Sequence, residues 1–448
     1  MERFVIRPIL VWFSTRVPLD SLGRPSIQAV VGARAQCAST TTPSTAMKLS
    51  RSYIFALLGP AIAIAAENPP AFRVEVSTLL TGYGKQFFTQ SRGALIPGRP
   101  ARVVVTTQET DPTTTSHAYG DLYGIETADS GRTWSQPKRI ESLRRRWMQE
   151  GYDFVIGDVC PQWHAVTGRV LATGKTFGFL GGKMEDRGLE RVSYAVLSPK
   201  TGAWSELRLL ELPATDHDGR PILEPNSGCH QRIDLPNGEI LLPIRYRKDP
   251  AVRYYTTIVA RCRFDGEKLT YVEHGSEFMI PRERGLYEPS VETFGNRFFL
   301  TMRADHSAFV ARGDDGIHFA PFVEWKFDDG QVLGCYNTQQ HWLTHNDTLY
   351  LLYTRRGANN DHVMRHRAPL FIAEVDPERL HVRRKTERIL IPESNADIGA
   401  GFGVVAVSSA ETWVITSEIP TKGSRDYNRV LMARIAWETP NRLFTAAK

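Results

Sequence analysis

The chain has 448 residues, 42% of them hydrophobic and 23% charged, which supplies a packed core and excludes a disordered polymer. The net charge of +6 is spread along the sequence, and no run of Lys or Arg is longer than Arg144-Arg145-Arg146, so a dedicated nucleic-acid arm is excluded.

In chain order, residues 1–46 show no clear period and end in a Ser/Thr-rich stretch, which reads as a disordered leader or translated upstream sequence without a function of its own. From Met47, the basic Lys48 and Arg51 precede the apolar run Tyr53–Ala66, which carries the small-residue spacing Ala63-Ile64-Ala65. Basic, apolar, small is the layout of an export signal, and the run falls short of the roughly 20 apolar residues that a spanning helix needs. Residues 47–66 are therefore expected to be removed near Ala65, placing the mature chain outside the cytoplasm, secreted or periplasmic, with no membrane attachment after cleavage. Cys160, Cys229, Cys262 and Cys335 then allow zero, one or two disulfides. No CxxC pair exists, which argues against a zinc site, and no metal or cofactor is expected.

From about residue 72 onward, short β-rich runs alternate with turn residues and helical periodicity is missing, which predicts an all-β chain. A hairpin pattern recurs through Pro97-Gly98 into Arg102, at Val166–Thr173, at Ile233–Arg245 with its Asn237-Gly238 turn, at Phe294–Thr301, at Leu343–Leu352 and at Val407–Thr416. Asn-Gly is expected to supply two positive-φ positions to a tight turn. Six copies about 50 to 70 residues apart predict six four-stranded propeller blades over 67–448, whereas a β-sandwich requires no such repeat. The segment Phe72–Gln90 is expected to pair with the last blade and close the ring, removing an exposed edge.

Thr127-Ala-Asp129-Ser-Gly131-Arg-Thr133-Trp134 resembles the Asp-box of the sialidase (neuraminidase) superfamily, and Ala311–Phe319 is similar to a degenerate second copy. Asp accepts backbone N–H groups, Gly takes the left-handed conformation and Trp packs into the blade. The resemblance implies a sialidase-like six-bladed propeller and carries no chemistry of its own. The stretch Tyr287–Arg303 is also similar to that superfamily. There, a Glu assists a Tyr nucleophile and an Arg belongs to a triad that clamps a substrate carboxylate. The resemblance assigns these places to Glu288 and Arg303, and the third arginine to Arg365 or Arg367. It also implies a general acid between the first strands and the Asp-box, where Asp111, His117 and Asp121 lie, with Asp158 as the alternative. Two departures mark a divergent member. Phe402 stands where the family has its Tyr nucleophile, and Arg92–Pro97 is a distorted version of an early Arg-Ile-Pro motif.

The repeat also gives a reading independent of the family. Six positions into the second strand of each hairpin lie Gln108, Lys175, Arg245, Arg303, Thr354 and Glu418, with Arg355 adjacent. The starts of the first strands supply Asp158, His164, Glu224, His230, Arg232, Glu288, Asn337, Gln339 and His341. A propeller gathers such positions around one axis, so a polar cup is expected. Arg245, Arg303 and Arg355 would repel one another unless an anion or carboxylates compensate, which suits the acid group of a sialic or uronic sugar. In the dense segment Arg355–Arg367, Asn360 and His362 are positioned for sugar hydroxyls. The expected function is an exo-acting glycoside hydrolase on an acidic glycan. A polysaccharide lyase or His-using glycosidase, drawing on His164, His230, His341, His362 and His366, and a non-catalytic carbohydrate-binding propeller are the alternatives.

Overall fold

Alternating apolar strands such as Arg102–Thr110 and Glu239–Arg247 bury both faces, as a strand sandwiched between two neighbouring sheets must. The computed structural model describes residues 71–445 except 112–118, 150, 186–188, 336, 399–400 and 422. The leader and export segment expected at 1–66 lie outside the described residues.

Among the described residues, six antiparallel sheets of four or more strands follow one another around an axis, beside a two-stranded ladder of Ala396–Asp397 with Ile419–Pro420. Blade 1 runs outward from Phe87–Ile96 through Arg102–Thr110 and Tyr119–Thr127 to Lys138–Arg139. In blade 2, Tyr152–His164, Arg169–Leu180, Val192–Ser198 and Ala203–Trp204 take the same order. Blade 3 has an interrupted inner strand, Leu223–Asn226 and Ile233–Asp234, followed by Glu239–Arg247, Thr256–Phe264 and Leu269–His274. The inner strands of blades 4 and 5 are Tyr287–Phe294 and His341–His345, and their second strands are Arg297–Arg303 and Thr348–Tyr353. Blade 6 begins at Phe402–Ala406, continues through Glu411–Ser417 and Tyr427–Trp437, and ends on Phe72–Tyr83 from the start of the chain. The fold is thus an all-β, six-bladed propeller.

Ring closure differs in detail from the sequence expectation. Phe72–Tyr83 pairs with Tyr427–Trp437, but the turn at Gly84 ends that strand, and Phe87 onward opens blade 1. The Asn237-Gly238 turn differs as well: only Gly238 has positive φ, at 84°. Its N–H donates to the Leu235 carbonyl at 2.8 Å. Pro236 at the second turn position presets φ near −65°, which favours a type I turn followed by a left-handed glycine.

The first Asp-box folds as its sequence predicts. Asp129 accepts the Arg132 and Thr133 N–H groups at 3.0 Å and the Thr133 hydroxyl at 2.6 Å. Trp134 packs on Trp413 of blade 6, with ring centroids 6.1 Å apart. In the second copy the capping acid is Asp315, which accepts the Ile317 and His318 N–H groups, while Asp314 pairs outward with Arg297. Asp265 and Asp376 cap the equivalent turns of blades 3 and 5 without any box motif.

Apolar side chains pack between neighbouring blades rather than in one centre. Val103, Val105 and Ile125 of blade 1 interlock with Trp413, Ile415 and Met432 of blade 6, so the first and last blades are held by core packing as well as by strand pairing. Trp413→Ala is expected to cost about 3–5 kcal/mol, read as a lower midpoint in urea denaturation, because it opens a cavity at this closure. A loss below about 1 kcal/mol would show that closure does not depend on this wedge.

Candidate functional site at the mouth of the inner strands

At the mouth of the inner strands of blades 1 to 4 the chain inserts one extra residue. In blade 1 Thr89 pairs with Gln108 and Arg92 with Thr106, leaving an extra position at Gln90. The same shift occurs at Asp158, Glu224 and Glu288 in the next three blades. All four are left-handed, with φ of 57°, 53°, 48° and 44°, and Asn337 ahead of the blade 5 strand has φ 52°. A non-glycine residue in this region costs about 1–3 kcal/mol and persists where the surroundings impose it, often at a functional site.

In blades 2 to 4 the bulge places an acid beside a base on the second strand of its own blade. Asp158 lies 4.0 Å from Lys175, Glu224 is ion-paired with Arg247, and Glu288 is ion-paired with Arg303. Blade 1 carries the neutral version, with Gln108 donating to the Gly120 and Ile156 carbonyls at 3.0 Å. The interrupted inner strand of blade 3 lengthens the span from turn to bulge by two residues. Counting six from the turn therefore reaches Arg245, whereas Arg247 is the residue equivalent to Arg303.

Residues 227–232, between the two halves of the blade 3 inner strand, form the floor. The Cys229 N–H donates to the Asp158 carbonyl at 3.2 Å, and Arg92 donates to Cys229 Sγ at 3.1 Å. Arg92 is fully buried, also donating to the Phe402 carbonyl at 3.2 Å. All four described cysteines are free and buried, so no disulfide forms among them.

Around Glu288 the cationic groups are dense. Arg303 reaches both Glu288 and Asn337, and Arg284 pairs with Asp305 while donating to the Tyr287 hydroxyl at 2.6 Å. Arg367 donates to the Asn337 carbonyl at 3.0 Å and lies 3.5 Å from Asp397. The rings of Tyr255 and Tyr287 link the wall, with Arg245 3.8 Å above the first and Arg303 4.6 Å above the second. Burial would raise the Glu288 carboxyl, but Arg303, then Arg367 and Arg284, hold it below the usual carboxylate range. Arg365 is exposed and no carboxylate lies within ion-pair distance of it among the described residues. Desolvation and the fields of Arg367, Arg303 and Arg284 push its pKa down, the signature of an under-compensated cationic cluster.

Beside this cluster opens a cleft of about 950 Å³ between the 361–366 segment and blades 6 and 1. Asp111, Tyr119, His362, Arg365 and Asp397 line it. Asp111, His362 and Arg365 of the sequence reading thus share one cleft, while Asp158, Glu288, Arg303 and Arg367 belong to the adjoining cup. Arg245 joins through Tyr255 and is paired with Glu190 at 2.6 Å.

Other expected site residues go elsewhere. Asp121 accepts the Arg145 N–H at 2.9 Å and faces Arg139 and Arg144 on the outer part of blade 1, so it does not reach the cup. Arg355 is clamped by Glu387 at 2.5 and 2.7 Å, over the Phe371 ring, and does not join Arg303. Asn360 is a buried staple donating to the Arg355 and Ala368 carbonyls, leaving its amide no role toward a sugar. Glu418 is buried under Arg425 and Arg429 at 2.6 and 2.7 Å. His230 and His341 lie deeper in the axial throat, bound to Thr173 at 3.0 Å and Ser290 at 2.8 Å. Burial lowers both, His341 to about 3, so they are neutral and are not presented at the mouth. Gln339 is likewise buried, and His117 lies outside the described residues.

Sequence reasoning missed Arg284, Asp305, Arg247, Glu190 and Asp397. Aligning blades on the bulge instead of the turn would have found Arg247. The others come from connecting segments that no repeat marks.

Neither protein-family models nor curated proteins give a match to the sequence. Solved structures do. A protein of unknown function from Dyadobacter fermentans matches with TM-score 0.57 and 14% identity over 81% of this chain and 99% of its own. The Trypanosoma rangeli sialidase matches with TM-score 0.56 and 13% identity over 81% of this chain and 59% of its own. The Hadza microbial sialidase Hz136 gives 0.54 and 12% over 80% and 68%. This chain spans less than two thirds of the T. rangeli enzyme, and the likeness is one of fold.

Glu190 is buried between Lys175 at 2.7 Å and Arg245 at 2.6 Å. Burial opposes its ionisation, but Arg245 and Lys175 prevail and bring the carboxyl down to about 2 from an ordinary 4.5. A depressed carboxylate stabilises the fold above its unfolded value, and that contribution, about 3 kcal/mol, is lost as pH falls from 4.5 toward 2. Calorimetry is expected to show a melting temperature insensitive to this group from pH 8 to about 5 that drops below about pH 4.5. Glu190→Gln is expected to lower it already at pH 7 and flatten the acid drop; an unchanged acid limb in that variant contradicts the assignment.

Proposed function

We propose that the propeller is an exo-acting glycoside hydrolase whose cup receives the carboxylate of an acidic sugar. The observation that carries this reading is the convergence of Arg303, Arg367 and Arg284 behind an exposed Arg365 that lacks a carboxylate partner among the described residues. A substrate carboxylate in that position relieves the repulsion and gains charge-assisted hydrogen bonds.

In this reading Glu288, kept ionised by Arg303, is the carboxylate that faces the sugar ring. Asp111, on the wall of the adjoining cleft, is the group placed to give a proton to the departing oxygen. Phe402 offers no hydroxyl, so a tyrosyl intermediate of the family type has no residue to form on at that position, and the carboxylate pair carries the chemistry. The reading agrees with the likeness to sialidases in fold. It places the mature chain outside the cytoplasm, in line with the export segment expected at 47–66.

The test is a panel of sialosides, uronic-acid oligosaccharides and rhamnosides incubated with the chain. A free acidic monosaccharide is expected from at least one of the first two classes. Glu288→Gln and Asp111→Asn should each lower kcat by about 10²–10⁴-fold, while Arg365→Ala mainly raises KM by about tenfold. An unsaturated product absorbing in the ultraviolet would move the assignment to a lyase, and turnover that survives Glu288→Gln together with Asp111→Asn would remove both carboxylates from the mechanism.

A further inference from the structure

The axis has a second opening. The inner strands run from the cup to the opposite face, and there the far ends of all six contribute to one cavity of about 370 Å³. Leu95 and Pro97, Trp163, Asp234, Glu292, Thr344 and Val405 come from blades 1 to 6 in turn. Its size falls within the range of small-molecule sites, and its narrow inner end continues into the throat lined by Arg92, His230 and His341.

This cavity holds buried polar groups that the protein leaves unmatched. The Trp163 indole N–H is buried without an acceptor, although the ring packs against Ala94, Ile96 and Val170. In the throat, His230 Nδ1 and His341 Nε2 make no well-formed hydrogen bond, their nearest partners being the backbone of Ser227 and Phe402, and these residues are only 3% and 2% exposed. Buried polar atoms of this kind are ordinarily satisfied, so the unmatched indole N–H beside the cavity points to a guest that carries an acceptor.

Fixed charge on the lining favours no guest with net charge. Arg232 is paired with Asp234 at 2.9 Å, and Glu292 accepts from Gln231 at 2.9 Å. The Arg232–Asp234 pair is neutral as a whole, so the lining presents a charged guest with both signs and selects for neither. Burial raises the Glu292 carboxyl to about 7, so near neutral pH it also serves as an uncharged donor. An indole bounding the space and planar amide and carboxyl groups around it match the C–H faces and hydroxyls of a sugar ring.

We infer that the face opposite the cup carries a second, non-catalytic site for a neutral saccharide of one or two pyranose rings, held by Trp163 and Glu292. Leu443, Phe444 and Thr445 form part of its rim, anchored by the Asn441 side chain on the Thr344 carbonyl at 2.9 Å. The inference is independent of the chemistry read from the cup.

Methyl β-galactoside, N-acetylglucosamine and lactose, titrated into the full chain by calorimetry and saturation-transfer NMR at pH 5.5 and 8.5, test it. At least one is expected to bind with Kd of about 1 mM or tighter at pH 5.5 and to weaken at pH 8.5 as Glu292 ionises. Trp163→Ala should weaken binding at least about tenfold, Arg365→Ala in the cup should leave it unchanged, and Glu292→Gln should make it insensitive to pH. Three results would each overturn the inference: no binding of any probe at either pH, binding lost in Arg365→Ala but kept in Trp163→Ala, or wild-type affinity equal at the two pH values. Should Trp163→Ala fail to fold, the Glu292→Gln pH comparison decides alone.

Discussion

One backbone device organises the candidate site: an extra, left-handed residue at the mouth of the inner strands, filled by Gln90, Asp158, Glu224 and Glu288 in successive blades. The conformation is costly for residues with a Cβ, and glycine would relieve it without loss of pairing. Instead the chain uses side chains with acceptors, and in three blades each faces a Lys or Arg on the adjoining strand. The strain and the ion pair come together, so the fold holds a carboxylate at the axis and supplies the cation that keeps Glu288 charged there.

Charge compensation divides the arginines into two kinds. Arg247, Arg355 and Arg284 are each bound to a carboxylate and serve to hold elements together. Arg365, presented on a segment whose Arg365 and His366 are both left-handed, faces three other cations and an open cleft. Buried ion pairs contribute little net stability but are expensive to break. The paired arginines are therefore the scaffold, and in the proposed reading the under-compensated one is where a ligand carboxylate fits.

The fold was readable because its signals are local. Turn residues between apolar strands repeated six times, and Thr127–Trp134 resembles the Asp-box turn of sialidase-like propellers. Glu288 and Arg303 were readable for the same reason, being fifteen positions apart on one hairpin. What the sequence hid is whatever depends on backbone dihedrals or on connecting segments. The break in the inner strand of blade 3 shifted Arg245 against Arg247 by one strand period, and Arg355 lost its expected place because Glu387, thirty-two residues away, captures it. Asn360 looked like a ligand group because its segment is polar, yet it satisfies carbonyls of its own loop. His230 and His341 were expected at the mouth but line the throat with Arg92, where desolvation keeps them neutral.

The account depends on an anion being welcome where Arg365, Arg367, Arg303 and Arg284 gather above Glu288. The most direct measurement is calorimetric titration with a free sugar acid, N-acetylneuraminic or glucuronic, alongside its methyl ester, which keeps shape and hydroxyls but removes the charge. The account predicts that one of the acids binds and that its ester binds at least about tenfold more weakly. Equal affinity of acid and ester, or the same preference retained when both Arg303 and Arg365 are replaced by alanine, contradicts it.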